Sequence, residues 1–324
     1  MRIAILGAGA IGSYVGAALA RGGADVSLIA RGAHLAALRE RGVTVLSARG
    51  DFRVHPPATD EPSEIGPVDV VFLGLKAYSY PDCGPLLAPL LHETTAVVAA
   101  QNGVPWWYFH RHGGPYDGRR IEAVDPGGAT TAAIAPERAI GCVVYCSTEL
   151  EAPGVIRHGE GTRFSLGEPD RSVSERCQRL SEALVAGGLK APVEPDLRDE
   201  IWIKLLGNAV FNPLSVLTRA TLAAMCRHPG TRALAREGML ECLAIANALG
   251  EQPQIDIERR LEGAERVGEH RTSTLQDLEA GKRLELDALL VAVVELADLT
   301  DTPAPTLRGL ASVSTLLATS LGLS

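Results

Sequence analysis

Residues Ile3-Ala4-Ile5-Leu6-Gly7-Ala8-Gly9-Ala10-Ile11-Gly12 open the chain with an apolar run followed by three glycines at the spacing G-x-G-x-x-G. The apolar run predicts a buried strand, and the periodicity of residues 11–20 predicts the helix after it. The first glycine permits a tight turn, the second lets backbone approach a pyrophosphate, and the third lets helix and strand pack closely. A helix N-terminus adds unpaired N–H groups that attract phosphate. We therefore predict a dinucleotide site formed by Gly7, Ala8, Gly9, Ala10, Ile11 and Gly12.

The end of the second predicted strand, residues 26–29, indicates which dinucleotide binds. NAD(H) sites place an acidic side chain there for the ribose 2′-hydroxyl, whereas this strand leads into Arg31 with no Asp or Glu beside it. A guanidinium can bind a 2′-phosphate bidentately. Lys76, after the next strand, would lie at the same edge of the sheet and add a second positive charge. The sequence predicts NADP(H), with a plain solvated loop arginine as the alternative for Arg31.

The order of the predicted elements gives the fold class and the domains. Strand-like residues 3–6, 26–29, 68–75 and 95–100 alternate with helix-like residues 11–20, 35–41 and 85–91, which is typical of βαβ units and a parallel sheet. Residues 141–167 alternate with period two and predict an antiparallel hairpin that makes the sheet mixed. After a helix at 172–186, long helical periodicities occupy 199–217, 231–249, 255–267, 287–299 and 305–321. We predict an α/β dinucleotide-binding domain at 1–195 and a helical substrate domain at 196–324.

Composition excludes several classes of protein. A net charge of −8 and scattered arginines give no attraction for a nucleic-acid backbone, so we expect no nucleic-acid partner. The six cysteines lack C-x-x-C pairs and no histidine completes a zinc set, so we expect reduced thiols and no metal. Glycines interrupt the N-terminal apolar stretch, and no segment has the length of apolar sequence that spans a membrane. We therefore expect a cytoplasmic enzyme without a membrane partner. A homodimer is expected from base rates.

A second polar pattern lies in the otherwise apolar segment at 200–213. Lys204, Asn208 and Asn212 recur every four residues, so they share one face of a helix. Asparagines are unfavourable inside helices and need another reason to be there. The pattern favours a catalytic face of the helix. The alternative is an exposed Glu200–Lys204 ion pair beside two asparagine amides that have no function. Pro213 predicts a kink near Asn212 that would aim the amide into a cleft. Asn102 follows a predicted strand, where an Asn-Gly turn is the alternative to a site residue.

The ordered set of these motifs resembles one enzyme family. The set comprises the glycine turn, Arg31, Leu75-Lys76-Ala77, Gln101-Asn102-Gly103, Lys204-x3-Asn208-x3-Asn212-Pro213-Leu214, and Ser273-Thr274-Leu275-Gln276-Asp277 followed by Glu285. In this order they resemble ketopantoate reductase (2-dehydropantoate 2-reductase) from residue 1 to about residue 290.

The resemblance implies a fold, a reaction and a role for each residue. It implies a Rossmann-type N-terminal domain, a C-terminal helical domain like that of 6-phosphogluconate dehydrogenase, and reduction of ketopantoate to pantoate by NADPH in pantothenate (vitamin B5) biosynthesis. By the same resemblance Lys204 is the general acid, and Glu285 is its acidic partner or a ribose ligand. Substrate would be held by Asn102, Asn208, Asn212 and Ser273, with Asn102 also near the nicotinamide.

The stretch 104–112 is longer than the family pattern leads us to expect and contains four consecutive aromatic residues at 106–109. Clustered aromatics serve as a substrate cap, an oligomer contact or a packed plug under a long loop, and these three stay open. His110 and His112 are expected on the loop surface. The alternative functions are reduction of another 2-oxo acid or ketone by a paralogous enzyme, and NADP(H) sensing without turnover.

Overall fold

The computed structural model describes the whole chain, residues 1–324. Its N-terminal run forms strand β1 (Arg2–Leu6), because Ile3 to Leu6 are each at most 1% exposed and lie at the centre of a sheet. Helix α1 (Ala10–Arg21) follows directly on the glycine turn, and β2 (Asp25–Ile29) returns parallel to β1. This is the strand–turn–helix that the sequence predicted.

The chain divides into two units. The first comprises Met1–Gln101, Trp107–Arg119 and Gly128–Leu197, and the second comprises Asn102–Trp106, Arg120–Gly127 and Arg198–Ser324. The predicted division into 1–195 and 196–324 did not include the two short segments of the second unit that come before residue 128.

The first unit contains the remaining strands and four further helices. In chain order they are α2 (Gly32–Arg41), β3 (Val43–Ser47), β4 (Phe52–Val54), β5 (Ala58–Thr59), β6 (Val70–Leu73), α3 (Gly84–Leu87), β7 (Ala96–Ala99), α4 (Ala129–Ala133), β8 (Ala139–Tyr145), β9 (Thr148–Ala152), β10 (Val155–His158), β11 (Arg163–Gly167) and α5 (Glu175–Ala186). The main sheet has seven strands in the order β11-β8-β7-β6-β1-β2-β5. Strands β6 and β7 are buried throughout, as expected for parallel strands covered on both faces.

The antiparallel region differs from the predicted single hairpin. Strand β11 pairs antiparallel with β8 and makes the main sheet mixed, as predicted. The strands β9 and β10 between them leave that sheet and form a second one in the order β4-β3-β10-β9. The prediction of one hairpin over 141–167 was therefore wrong in part, because four short strands occupy this region: β9 pairs with β10, and β10 pairs in turn with β3.

The second unit is helical. Its helices are α6 (Leu197–Thr218), α7 (Leu222–Arg227), α8 (Pro229–Ala248), α9 (Ile257–Arg266), α10 (Ser273–Glu279), a π-helical turn (Asp287–Val291) that leads into α11 (Ala292–Leu299), and α12 (Pro305–Ser320). Helix α6 runs continuously through Pro213. By length and composition α6 could cross a membrane, but 72% of its most apolar window is buried inside the protein, as in the core helix of a folded domain.

Candidate active site

The three glycines of the turn after β1 have three different surroundings. Gly7 has a φ of +91°, and a Cβ there would come within 2.6 Å of Leu75 Cδ2. A Cβ on Gly12 would lie 2.2 Å from the carbonyl oxygen of Gly7, so helix and turn pack with no room for a side chain. A Cβ on Gly9 would meet nothing within 4 Å. The turn thus fits a dinucleotide. Gly7 and Gly12 allow the tight packing of the turn, and Gly9 keeps an open face where a pyrophosphate can approach.

Helix α1 begins at this open face. Gly9 is its N-terminal cap residue and is exposed, and Ala10 and Ile11 form the start of the helix. The first N–H groups of a helix have no intrahelical partners and carry a partial positive charge, which suits phosphate. Ala8 is buried, and its N–H donates to the carbonyl of Ile29 on β2 at 2.9 Å. The turn is therefore held by the sheet beneath it, while Gly9 at the start of α1 stays exposed.

The two predicted phosphate-binding cations follow the two strands that flank β1 in this unit. Arg31 is exposed and caps the N-terminus of α2, directly after β2, and no hydrogen bond or ion pair engages its guanidinium. Lys76 is half-buried, three residues after β6, and precedes a short 3₁₀ turn. Both follow strands parallel to β1, at the carboxyl edge where open α/β sheets bind ligands.

In the second unit, Lys204 lies on α6 and Asn102 lies on the segment after β7. The Lys204 ammonium donates a hydrogen bond of 2.6 Å to Asn102 Oδ1, across 102 residues of sequence. Lys204 is half-buried on a helix whose neighbouring positions, Leu205 and Leu206, are at most 2% exposed. An ammonium held by an amide oxygen on an apolar helix is suited to donate a proton to a substrate oxygen.

The other asparagines of the stripe have unequal surroundings. Asn208, one turn from Lys204, is half-buried and its amide makes no hydrogen bond. Asn212 is 4% exposed, and its Nδ2 donates to Thr274 Oγ1 at 3.0 Å. The next polar residue of the stripe, Ser215, bonds with Thr272 Oγ1 at 2.6 Å. The far end of the stripe therefore joins α6 to the start of α10.

The last two predicted site residues differ in burial. Ser273 is exposed in the first turn of α10, where its neighbour Thr272 caps the helix by accepting from the N–H of Leu275. Glu285 is 6% exposed and lies just before the π-helical turn. Sequence reasoning missed Ser215 and Thr272, and it named Thr274 only as part of a motif. Ser215 lies three residues beyond Asn212 on the same face, so the helical spacing contained that signal.

The aromatic stretch at 106–109 is part of the protein interior. All four side chains are at most 4% exposed. Tyr108 and Phe109 make an edge-to-face pair with ring centroids 5.0 Å apart, and Trp107 occupies the space against Gly141 that a Cβ would need. Of the three readings of these aromatics, their burial supports the packed plug.

The six cysteines are free thiols, five of them buried, and burial raises the pKa of Cys83 to about 11 and that of Cys177 to about 12.

Comparison with known proteins gives matches over both units. A family model described as "Ketopantoate reductase PanE/ApbA" matches residues 3–106, and "Ketopantoate reductase PanE/ApbA C terminal" matches residues 196–318. The chain belongs to the ketopantoate reductase family. The sequence is 51% identical over 323 residues to the 2-dehydropantoate 2-reductase of Mesorhizobium japonicum, covering 99% of each chain. It is 30% identical to the 2-dehydropantoate 2-reductase of Archaeoglobus fulgidus, covering 91% of this chain and 90% of that one.

A solved structure extends this relationship to the fold. The 2-dehydropantoate 2-reductase of Geobacter metallireducens superimposes with a TM-score of 0.86 at 30% identity, over 98% of this chain and all of that one. The predicted family and the predicted fold class, a Rossmann-type domain with a helical C-terminal domain, are confirmed. Membership in a family of reductases, together with the fit of the glycine turn, also agrees with the predicted nicotinamide cofactor class.

Proposed function

We propose that this chain reduces ketopantoate (2-dehydropantoate) to pantoate with NADPH, a reaction of pantothenate biosynthesis. The observation that carries the proposal is the Lys204–Asn102 hydrogen bond of 2.6 Å, found in a chain that matches a 2-dehydropantoate 2-reductase along its full length. An ammonium on an apolar helix, fixed by an amide oxygen, can donate the proton that ketone reduction requires. The glycine turn, whose open face at Gly9 fits a pyrophosphate, supports the dinucleotide.

The cofactor, when bound, supplies the hydride that adds to C2 of the 2-oxo acid. The protein's own part is to bind, to orient and to donate a proton. As the carbonyl carbon is reduced, its oxygen becomes an alkoxide, and Lys204 Nζ donates a proton to that oxygen. Lys204 then regains a proton from solvent. The bond to Asn102 uses one of the three N–H donors of the ammonium and so fixes its direction. Asn102 thus acts on the reaction by orienting Lys204 and by contacting substrate.

The remaining residues are proposed to bind substrate and cofactor. Asn208, whose amide is half-buried and unbonded, is the best placed of the stripe to bind a substrate oxygen beside Lys204. Asn212 and Ser273 would complete the substrate contacts near the start of α10, and Glu285 would be the acidic partner of Lys204 or a ribose ligand.

The choice of NADPH over NADH rests on the guanidinium of Arg31, exposed and unpaired at the start of α2, and on the ammonium of Lys76. Two cations at the strand ends favour a 2′-phosphate, and no carboxylate stands beside Arg31 to repel it. A cytoplasmic location and a homodimer complete the proposal. The dimer is checked by sedimentation of the purified chain.

The test is NADPH oxidation by the purified protein with ketopantoate and with a panel of other 2-oxo acids. We expect kcat/KM to be highest for ketopantoate and pantoate to accumulate in proportion to NADPH consumed. A higher kcat/KM for another 2-oxo acid would assign the chain to a paralogous reaction. Tight NADPH binding without turnover of any substrate would contradict catalysis and favour a sensor.

A further inference from the structure

Two side chains that have no part in the proposed chemistry lie directly behind the glycine turn. Ser13, in the first turn of α1, is fully buried, and its Oγ donates to the carbonyl oxygen of Ala8 at 2.7 Å. The same Oγ lies 3.1 Å from Nε2 of His34, a half-buried residue on α2. The other ring nitrogen of His34, Nδ1, accepts the N–H of Gly154 at 3.0 Å, in the turn between β9 and β10.

The direction of these hydrogen bonds follows from the one partner that cannot change its role. The backbone N–H of Gly154 can only donate, so Nδ1 of His34 carries no proton. A neutral imidazole then has its proton on Nε2, which donates to Ser13, and the Ser13 hydroxyl is left to donate to Ala8. Burial lowers the pKa of His34, and the carbonyl of Ala8 opposes this in part. The neutral ring is therefore the form that the structure holds.

The last acceptor in this series is part of the dinucleotide turn itself. The carbonyl of Ala8 and the N–H of Gly9 belong to the same planar, trans peptide unit and point in opposite directions. Whatever holds the Ala8 carbonyl therefore also sets the direction of the Gly9 N–H. The carbonyl faces Ser13 in the interior, whereas Gly9 is exposed at the open face of the turn.

We propose that Ser13 and His34 are positioning residues for the cofactor, which hold the Gly9 N–H toward the pyrophosphate when the His34 ring is neutral. Protonation of Nδ1 would place an N–H opposite the N–H of Gly154 and break the series at its start. Cofactor affinity then falls as pH falls through the pKa of His34, which lies below the ordinary value for histidine. The inference rests on the proposed cofactor, and it does not depend on the proposed substrate.

The surrounding charges do not account for the lowered pKa of His34. The titratable groups on the elements around His34 are the following: Arg31 at the N-cap of α2, Arg39, Glu40 and Arg41 on α2, Tyr14 and Arg21 on α1, and Glu149, Glu151, Arg157 and His158 on the β9–β10 hairpin. None of them is among the causes of the shift in the pKa of His34, which are burial and the Ala8 carbonyl. Tyr14 stacks on the ring of His158, and Arg157 pairs with Glu151, so these four engage one another.

The test is a fluorescence titration of the apo-protein with NADPH, without substrate, from about pH 8 to about pH 5, the range in which histidine titrates. The variants are Ser13→Ala, His34→Gln and His92→Gln. His34→Gln keeps an amide that both donates and accepts but cannot titrate. His92 is the matched control, because its Nδ1 also accepts a backbone N–H, from Thr94, but it precedes β7 and so lies at the opposite edge of the sheet from the glycine turn. Thermal unfolding of each apo-variant checks its fold.

We expect Ser13→Ala to raise the Kd for NADPH about threefold to tenfold at the upper pH, the effect of one lost hydrogen bond. Wild type and His92→Gln should lose about threefold to tenfold more affinity toward low pH than His34→Gln does. Titration of the cofactor's own 2′-phosphate affects all three proteins equally. A wild-type Kd in Ser13→Ala, or parallel pH profiles for wild type and His34→Gln, would overturn the proposed role of Ser13 and His34. If Ser13→Ala does not fold, the comparison of profiles decides. If wild type loses NADPH affinity toward low pH as expected but does not reduce ketopantoate, the proposed role of Ser13 and His34 stands and the proposed reaction fails.

Discussion

Two substitutions in the glycine turn, each adding one methyl group, distinguish the role of the turn in cofactor binding from its role in the stability of the fold. Gly9 has a φ of −74°, which alanine adopts without strain, and its added Cβ would meet nothing within 4 Å. We expect Gly9→Ala to change the free energy of unfolding by less than about 1 kcal/mol, because reduced chain entropy offsets the weaker helix cap. The same methyl fills the space in which a pyrophosphate approaches the backbone, so affinity for NADPH should fall about tenfold to hundredfold.

Gly12→Ala is the matched substitution. Its Cβ would lie 2.2 Å from the Gly7 carbonyl oxygen, and a backbone atom cannot move aside as a side chain can. We expect it to lower the free energy of unfolding by about 2 kcal/mol or more, and NADPH affinity with it. Urea unfolding of the apo-proteins and NADPH fluorescence titration measure the two effects. If Gly9→Ala bound NADPH as tightly as wild type, the open face of the turn would not be where the pyrophosphate lies.

Three further predictions concern catalysis, cofactor choice and the core. Lys204→Ala should lower kcat about 10²–10⁴-fold while the Kd for NADPH stays within about twofold, and the exposed Lys282→Ala should change neither in the same assays. Arg31→Ala should weaken NADPH binding about tenfold to hundredfold and leave NADH binding nearly unchanged, whereas Arg39→Ala on α2 should change the affinity for neither cofactor. Equal losses of affinity for the two cofactors would refute the 2′-phosphate contact. Phe109→Ala should lower the free energy of unfolding by about 3–5 kcal/mol in urea titration, since the side chain is 1% exposed, and a change below about 1 kcal/mol would show that it is not core.

Local patterns made the first part of the fold predictable from the sequence. An apolar run, glycines at fixed spacing and a helical period all fall within residues 3–20, so β1, the turn and α1 could be placed from that stretch alone. The second sheet could not be predicted in this way. Its strands β3 and β4 are short, and β3 pairs with β10, more than a hundred residues away, which no local period encodes. The short helices α7 and α10 are too brief to show a clear period.

The candidate site shows the same limit. The sequence identified Lys204 and Asn102 separately, one from a helical stripe and one from its position after a strand, but their hydrogen bond depends on how distant segments fold together. Likewise the sequence showed a polar stripe at Asn212 without showing that its amide bonds to Thr274. The position of Ser13 behind the turn depends in the same way on His34 and Gly154.

The central claim, that this chain uses NADPH to reduce the carbonyl of ketopantoate, is tested most directly by isotope transfer. NADPH carrying deuterium at both C4 positions is incubated with ketopantoate and the purified protein, and the pantoate formed is examined by mass spectrometry. The account predicts one deuterium per pantoate, bonded to C2, with the hydroxyl proton taken from solvent by way of Lys204. Pantoate without deuterium, or no pantoate from a protein that binds NADPH, would contradict it.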